Sequence, residues 1–236
     1  MKKAIFLFDY TGIMAKPWAD AGYLCYCFDG QHPEGVTPGP HKNILNVGMW
    51  FSNNPTGDNL AIDRDHIKTV AGKDVHFVFG FPECTDLAVS GAAHFEKKRN
   101  INPYFQDEAM MLFYLVESLG NELGCKWALE NPVSVAASLW RKPDHYFHPY
   151  EYGGYLPEDD AHPLYPEYIK PRDAYPKKTG IWLGNGFTMP EKKPVHVEPG
   201  FSDQHKKLGG KSLKTKNIRS ATPRGFAQAT FISNAV

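Results

Sequence analysis

The amino-acid sequence predicts an α/β fold built on a mostly parallel sheet with crossover helices, and three observations predict it. Short apolar runs alternate with stretches long enough for helices, the pattern of strand-crossover-strand units. A 42% apolar share of 236 residues supplies a fully sized core. Between the fourth and fifth runs, residues 103–123 carry Met110, Met111, Phe113, Tyr114, Leu115 and Leu119 with no glycine before Gly120, an amphipathic crossover helix.

The elements follow in order. Residues 4–8 form the first strand. Lys2 and Lys3 ahead of this run superficially resemble a signal peptide, but Asp9 and Tyr10 break it, and a cytoplasmic chain is expected. Further strands are expected at 23–28, 43–47, 75–81, 125–129 and 179–183. Asn102 is placed to cap the helix at 103–123, with Pro103 in its first position. Residues 144–178, rich in Pro, Tyr, His and acidic side chains without a clear period, are expected to form a loop-rich insertion. Residues 206–219 are read as a Gly/Lys-rich connector before a final helix beginning at Thr222 and Pro223. Together these predict one domain over residues 1–236.

Composition excludes several classes. Lys and Arg number 26 against 26 Asp and Glu, so there is no polybasic tail, and a polyanionic partner has to be met locally. With 22% charged and 14% aromatic residues the chain is not of disordered type, and no apolar run approaches the ~20 residues of a membrane helix. Cys25, Cys27, Cys84 and Cys125 show no C-x-x-C spacing, so reduced thiols are expected. Nothing bears on oligomeric state.

Ligands of open parallel sheets sit beyond the carboxyl ends of the strands, and four such segments stand out. After the first strand, FDYTGIMAKPWADAGY puts Gly12 in a tight turn whose amides can face a cofactor, although an ordinary strand-to-helix turn needs the same glycine. Asp29 ends the second strand, suited to ribose hydroxyls or simply to solvent. After the fourth, Phe-Pro-Glu-Cys offers Cys84 in a loop, where a nucleophile belongs. After the fifth, Glu130 and Asn131 precede Pro132, and a carboxylate buried there needs a partner. The acidic and histidine residues Asp144, His145, His148, Glu158, Asp159, Asp160 and His162 lack the fixed spacing of a metal site, and none is assigned.

Taken in this order, the segments resemble the cytosine-C5 DNA methyltransferases, most closely the short methyltransferase-like proteins of phages and prophages. FDYTGIMAKPWADAG resembles the first signature of that family, FPECTD its Pro-Cys loop, ENP its Glu-Asn dipeptide, and RSATPRGFAQA its Arg-x-x-Thr-Pro-Arg segment. The resemblance implies a Rossmann-like, class I methyltransferase-like fold with a reduced target-recognition region at about 185–211.

It also implies S-adenosylmethionine as cofactor, DNA as partner and cytosine as the flipped-out target. Cys84 would be the nucleophile, Glu130 would hold the base, Asn131 would orient the cysteine loop and Arg219 would lie at the pocket floor. Phe8, Asp9, Thr11, Gly12, Asp29 and Pro82 would line the cofactor. Lys177 and Lys178, standing for the family's Gln-x-Arg-x-Arg strand, would join Lys211, Lys214 and Lys216 in binding DNA. Asp63 or Asp65 would serve the adenine. Glu83 stands where the family has a second proline and is expected to raise the Cys84 pKa. Other expectations kept open are a different donor or a free nucleotide as substrate, and a degenerate nucleotide- or DNA-binding protein.

Overall fold

The structure is a computed structural model describing residues 1–55, 58–200, 202–210 and 212–236. Seven strands form one sheet: β1 (Lys3–Leu7), β2 (Leu24–Pro38), β3 (Ile44–Gly48), β4 (Val75–Gly80), β5 (Lys126–Pro132), β6 (His145–Phe147) and β7 (Thr179–Gly184). Their order is β3-β2-β1-β4-β5-β7-β6. The pairs among β1, β2, β4 and β5 are parallel, and β7 is antiparallel to both β5 and β6. This is the Rossmann-like α/β arrangement the sequence predicts.

The helices are α1 (Ala15–Asp20), α2 (Asn59–Ala71), α3 (Phe95–Ile101), α4 (Phe105–Leu123), α5 (Ala136–Leu139), α6 (Asp203–Lys207), α7 (Leu213–Ser220) and α8 (Arg224–Asn234). The period-2 geometry of strands explains why the strand runs are apolar throughout. Ala4, Phe6, Cys25, Cys27, Phe77 and Phe79 face one layer, with Trp18 of α1 and Phe226 of α8. Ile5, Leu7, Tyr26, Phe28 and Val78 face the other, with Ile67 of α2 and Phe113, Val116 and Leu119 of α4. Trp18 stacks on Phe77 with ring centroids 4.1 Å apart.

Local chemistry sets the ends of α4. Asn102 Oδ1 accepts from Tyr104 N at 3.0 Å, so the asparagine holds the entry as expected, but the helix opens at Phe105 and not at Pro103. Gly124 ends it in the left-handed conformation, φ 62°. Cys25 and Cys27 are buried within β2, and Cys125 is buried just before β5.

Two expectations are corrected. The insertion at 144–178 is not all loop: it contains β6 and short 3₁₀ turns at Pro149–Tyr155 and Pro171–Asp173. β6 is only three residues long, too short for a period to show. The connector at 206–219 contains α7, where the Ser212 side chain caps Thr215 N.

The insertion is fastened by polar groups. Arg172 and Asp173 adopt left-handed backbone, φ 56° and 50°, at a cost of ~1–3 kcal/mol each. This delivers Asp173 to the first turn of α8, where its carboxylate accepts from Gly225 N at 2.8 Å. Asp160 takes both nitrogens of the Arg224 fork and Arg172 N. His162 Nδ1 accepts from Leu164 N and Tyr165 N, which keeps the ring neutral, and burial first of all depresses its pKa to about 4. Among the described residues, no group of three or more His, Cys, Asp or Glu is arranged to hold a metal. Nor is any described helix long and apolar enough to cross a membrane.

Candidate active site at the carboxyl ends of the strands

Register assembles the site. Leu7 of β1 lies opposite Phe28 of β2 and Gly80 of β4, and Gly80 lies opposite Leu129 of β5. The next residues along these four strands, Phe8, Asp29, Phe81 and Glu130, therefore emerge side by side at one sheet end. β7 runs the other way, with Thr179 opposite Pro132, so its start and not its end reaches this place. Lys177 arrives with it.

The cysteine loop and the segment after Glu130 are joined. Asn131, 1% exposed, donates from Nδ2 to the Pro82 carbonyl at 2.9 Å. Val135 N donates to Leu87 O at 2.9 Å, and Val89 N to Val133 O at 3.1 Å. Cys84 O accepts from Leu87 N and Ala88 N, which closes the loop into a turn. Cys84 is half-buried and Glu130 Oε2 is buried with no hydrogen-bond partner.

The electrostatics tie three side chains together. Burial raises the Cys84 thiol; the Lys177 ammonium opposes this, and Glu130 and Glu83 add to the rise. Burial also raises the Glu130 carboxyl, again opposed by Lys177. Lys177 Nζ is held by a 2.7 Å bond to the Arg219 carbonyl. Glu83 is itself held below the ordinary carboxylate range: burial raises it, but the Thr85 hydroxyl at 2.6 Å and Lys216 at 3.2 Å more than offset that. It stays ionised beside the thiol.

Arg219 thus enters this arrangement by its backbone. Its guanidinium is turned to the Leu208 carbonyl, 2.9 Å away, and does not join Cys84 and Glu130. Lys177, expected on a DNA surface, lies near enough to Cys84 and Glu130 for its ammonium to oppose the rise of both. Lys178 is exposed, its ammonium 4.6 Å from the centre of the Tyr146 ring, and Lys214 lies 5.9 Å from that of Tyr168. Lys211 lies outside the described residues.

The first turn is organised by Asp9, 2% exposed, whose Oδ1 accepts from Gly12 N at 2.8 Å, Thr11 N at 3.1 Å and Thr11 Oγ1 at 3.2 Å. Burial raises its pKa to about 6, and Oδ2 has no partner. Gly12 takes φ 66°, the conformation for which glycine is needed there. Phe8 packs edge-on against Phe51. Asp29 accepts from Gln31 N at 2.8 Å and is raised by burial. Beside it a hollow of about 330 Å³ is lined by Gly30, His32, Glu34, Gly48 and Trp50. Asp63 is buried and accepts from Ser52 N, while Asp65 pairs with Lys68 on the α2 surface.

Sequence reasoning missed Trp50, 81% exposed at the edge of that hollow, because no pattern marks a single aromatic after a strand. It also missed Lys97, Lys98 and Arg99 on α3, although the KKR run was visible. Lys98 ties α3 to the cysteine loop through Asp86 and the Thr85 carbonyl. No protein-family model matches the chain, and no curated protein matches it significantly.

Proposed function

We propose that the chain transfers a methyl group from S-adenosylmethionine to C5 of cytosine in DNA, with Cys84 as the nucleophile. The observation that carries this is the meeting of Cys84, Glu130 and Lys177 at the carboxyl ends of β4 and β5, with Glu130 Oε2 buried and unpartnered. A buried carboxyl lacking a partner is costly unless a ligand supplies one, and the N3 edge of a cytosine does so. The mostly parallel sheet with these residues at its carboxyl ends is compatible with the Rossmann-like fold that the reading implies.

The Cys84 thiolate adds to C6, forming a C–S bond while Glu130 gives or shares a proton at N3. Lys177 stabilises the thiolate before addition. When bound, the donor supplies a sulfonium methyl group to the electron-rich C5 and leaves as the neutral thioether. Loss of the C5 proton to a base then expels the Cys84 thiolate and restores the ring. Residues suited to hold the donor are present: the Gly12 turn ordered by Asp9, Asp29 for ribose hydroxyls, and the hollow edged by Trp50 for a base.

The test is DNA carrying 5-fluorocytosine, incubated with S-adenosylmethionine. Fluorine cannot leave C5 as a cation, so a covalent adduct accumulates with the native chain and not with Cys84→Ser. Nucleoside mass spectrometry of ordinary DNA identifies 5-methylcytosine. The raised thiol favours a second reading, a catalytically silent nucleotide- or DNA-binding protein, which retained DNA binding without adduct or methylcytosine would select.

A further inference from the structure

We propose that α7 is a strap closed over the mouth of the candidate site, bridging β2 at Gln31 and the cysteine loop, and that it lifts to admit substrate. The inference rests on the reading above for what enters, and concerns the regulation of that same site.

α7 is tethered to three separate places at this end of the sheet, and each tether falls beside a residue of the site. Asn217 Nδ2 donates to Gln31 Oε1 at 3.0 Å, and the Gln31 backbone amide in turn bonds Asp29. Lys216 pairs at 3.2 Å with Glu83, the neighbour of Cys84. The Arg219 carbonyl accepts from Lys177 at 2.7 Å. The first two anchors face each other across a short gap: burial raises the Asp29 carboxyl, and Glu83 is near enough to add to the rise. A helix bonded to both sides from consecutive residues lies across that gap. Arg219 and Thr215 also bond Leu208 O and Gly209 O, in the chain just before the helix, and these bonds do not tie it to the sheet.

The tethers hold α7 closed without fixing it. Lys216 and Glu83 are 52% and 61% exposed, so water and salt compete for the pair. Asn217 to Gln31 is one neutral amide bond. Thr215 and Ile218 are the buried residues of α7, against six in α8. Next along the chain Ala221 and Thr222 are buried, and α8 is held by Asp173 and Asp160 through Gly225 and Arg224. Arg219 therefore stands beside a fixed point, and Lys216 and Asn217 lie farther out. A segment with few buried contacts and exposed bonds opens at lower free energy than the core around it. Eight residues are too few to stay helical once detached, so lifting also frees the backbone amides of α7.

The experiment uses the full chain and needs neither donor nor DNA. Iodoacetamide labelling at pH 8, read at each cysteine by peptide mass spectrometry, compares the native chain with Lys216→Met, Asn217→Ala and the double variant. Sign separates access from charge. Removing the Lys216 cation leaves Glu83 uncompensated beside the thiol and by itself slows alkylation, whereas an opened strap speeds it. Cys84 is expected to label about fivefold faster in each single variant, the change in open population when one weak bond is lost, and faster still in the double variant. Cys25, Cys27 and Cys125 are buried and label only if the core itself opens. In the native chain, hydrogen exchange should reach the amides of α7 before those of α8.

Cys84 labelling unchanged or slower in the double variant, or α7 amides protected as long as those of α8, overturns the strap and leaves the methyl-transfer reading intact. If a variant labels all four cysteines its fold is lost, and the exchange of the native chain decides. Faster labelling of Cys84 without an adduct on 5-fluorocytosine DNA upholds the strap and overturns the methyl-transfer reading instead.

Discussion

Lys177 and Glu83 pull the Cys84 thiol in opposite directions, so single substitutions separate them. Glu83→Gln removes a like charge and frees Lys216, and the midpoint of iodoacetamide alkylation against pH should move down. Lys177→Met should move it up. If both variants alkylate with the native profile, the three side chains are not coupled. Glu130→Gln keeps a hydrogen-bonding group but no titratable proton, and adduct formation should slow by roughly 10²–10⁴-fold in a rapid-quench time course. At this scale the sequence was legible where a residue lies at or just beyond the carboxyl end of a strand, as with Cys84, Glu130 and Asn131. It was not legible for the link between Lys177 and Arg219, which runs through a backbone carbonyl accepting a hydrogen bond, and a carbonyl has no letter.

Elements were legible in proportion to their burial. The apolar runs of β1, β4 and β5 announce themselves because both sheet faces are covered, and α4 shows its period over five turns. β2 was seen only in its first part. Beyond Asp29 it bends around Gly48, where a Cβ would lie 2.0 Å from Pro33 O, and polar residues carry the rest. α7 was missed because its buried residues are few, Thr215 and Ile218. The close approach of α8 to the insertion gives a stability prediction. A Cβ on Gly225 would meet the Tyr152 carbonyl oxygen at 2.3 Å, a backbone atom that cannot rotate aside. Gly225→Ala should therefore cost about 1–3 kcal/mol, read as a melting temperature lower by about 2–4 °C per kcal/mol.

For the whole molecule, the join between insertion and sheet contributes a pH-dependent share of stability. His162 is neutral in the fold, with a pKa of about 4 against 6.5 for the free side chain, lowered by burial and by Arg224, with Asp160 opposing. A folded pKa depressed in this way means that the unfolded chain takes up the proton first. The contribution of His162 is full above pH 6.5 and is lost as pH falls toward 4, by about 3 kcal/mol over the window, while Asp9 and Asp173, each raised by burial to about 6, act in the opposite sense. His162→Gln, which retains an acceptor for the two amides, should lose correspondingly less between pH 7 and pH 4.5 in urea titrations. Equal losses in both proteins would assign acid sensitivity elsewhere.

The reversed strand β7 also has a consequence in time. Cys84 and Lys177 are separated by 93 positions. At about 5–20 residues per second, a ribosome delivers the thiol roughly 5–20 s before the ammonium. Throughout that interval the nascent chain carries Cys84 without the burial that raises its thiol in the fold, a rise that Lys177 only partly opposes, and so in the more readily ionised form. Chain order thereby leaves the cysteine open to alkylation and oxidation until the sheet closes around it.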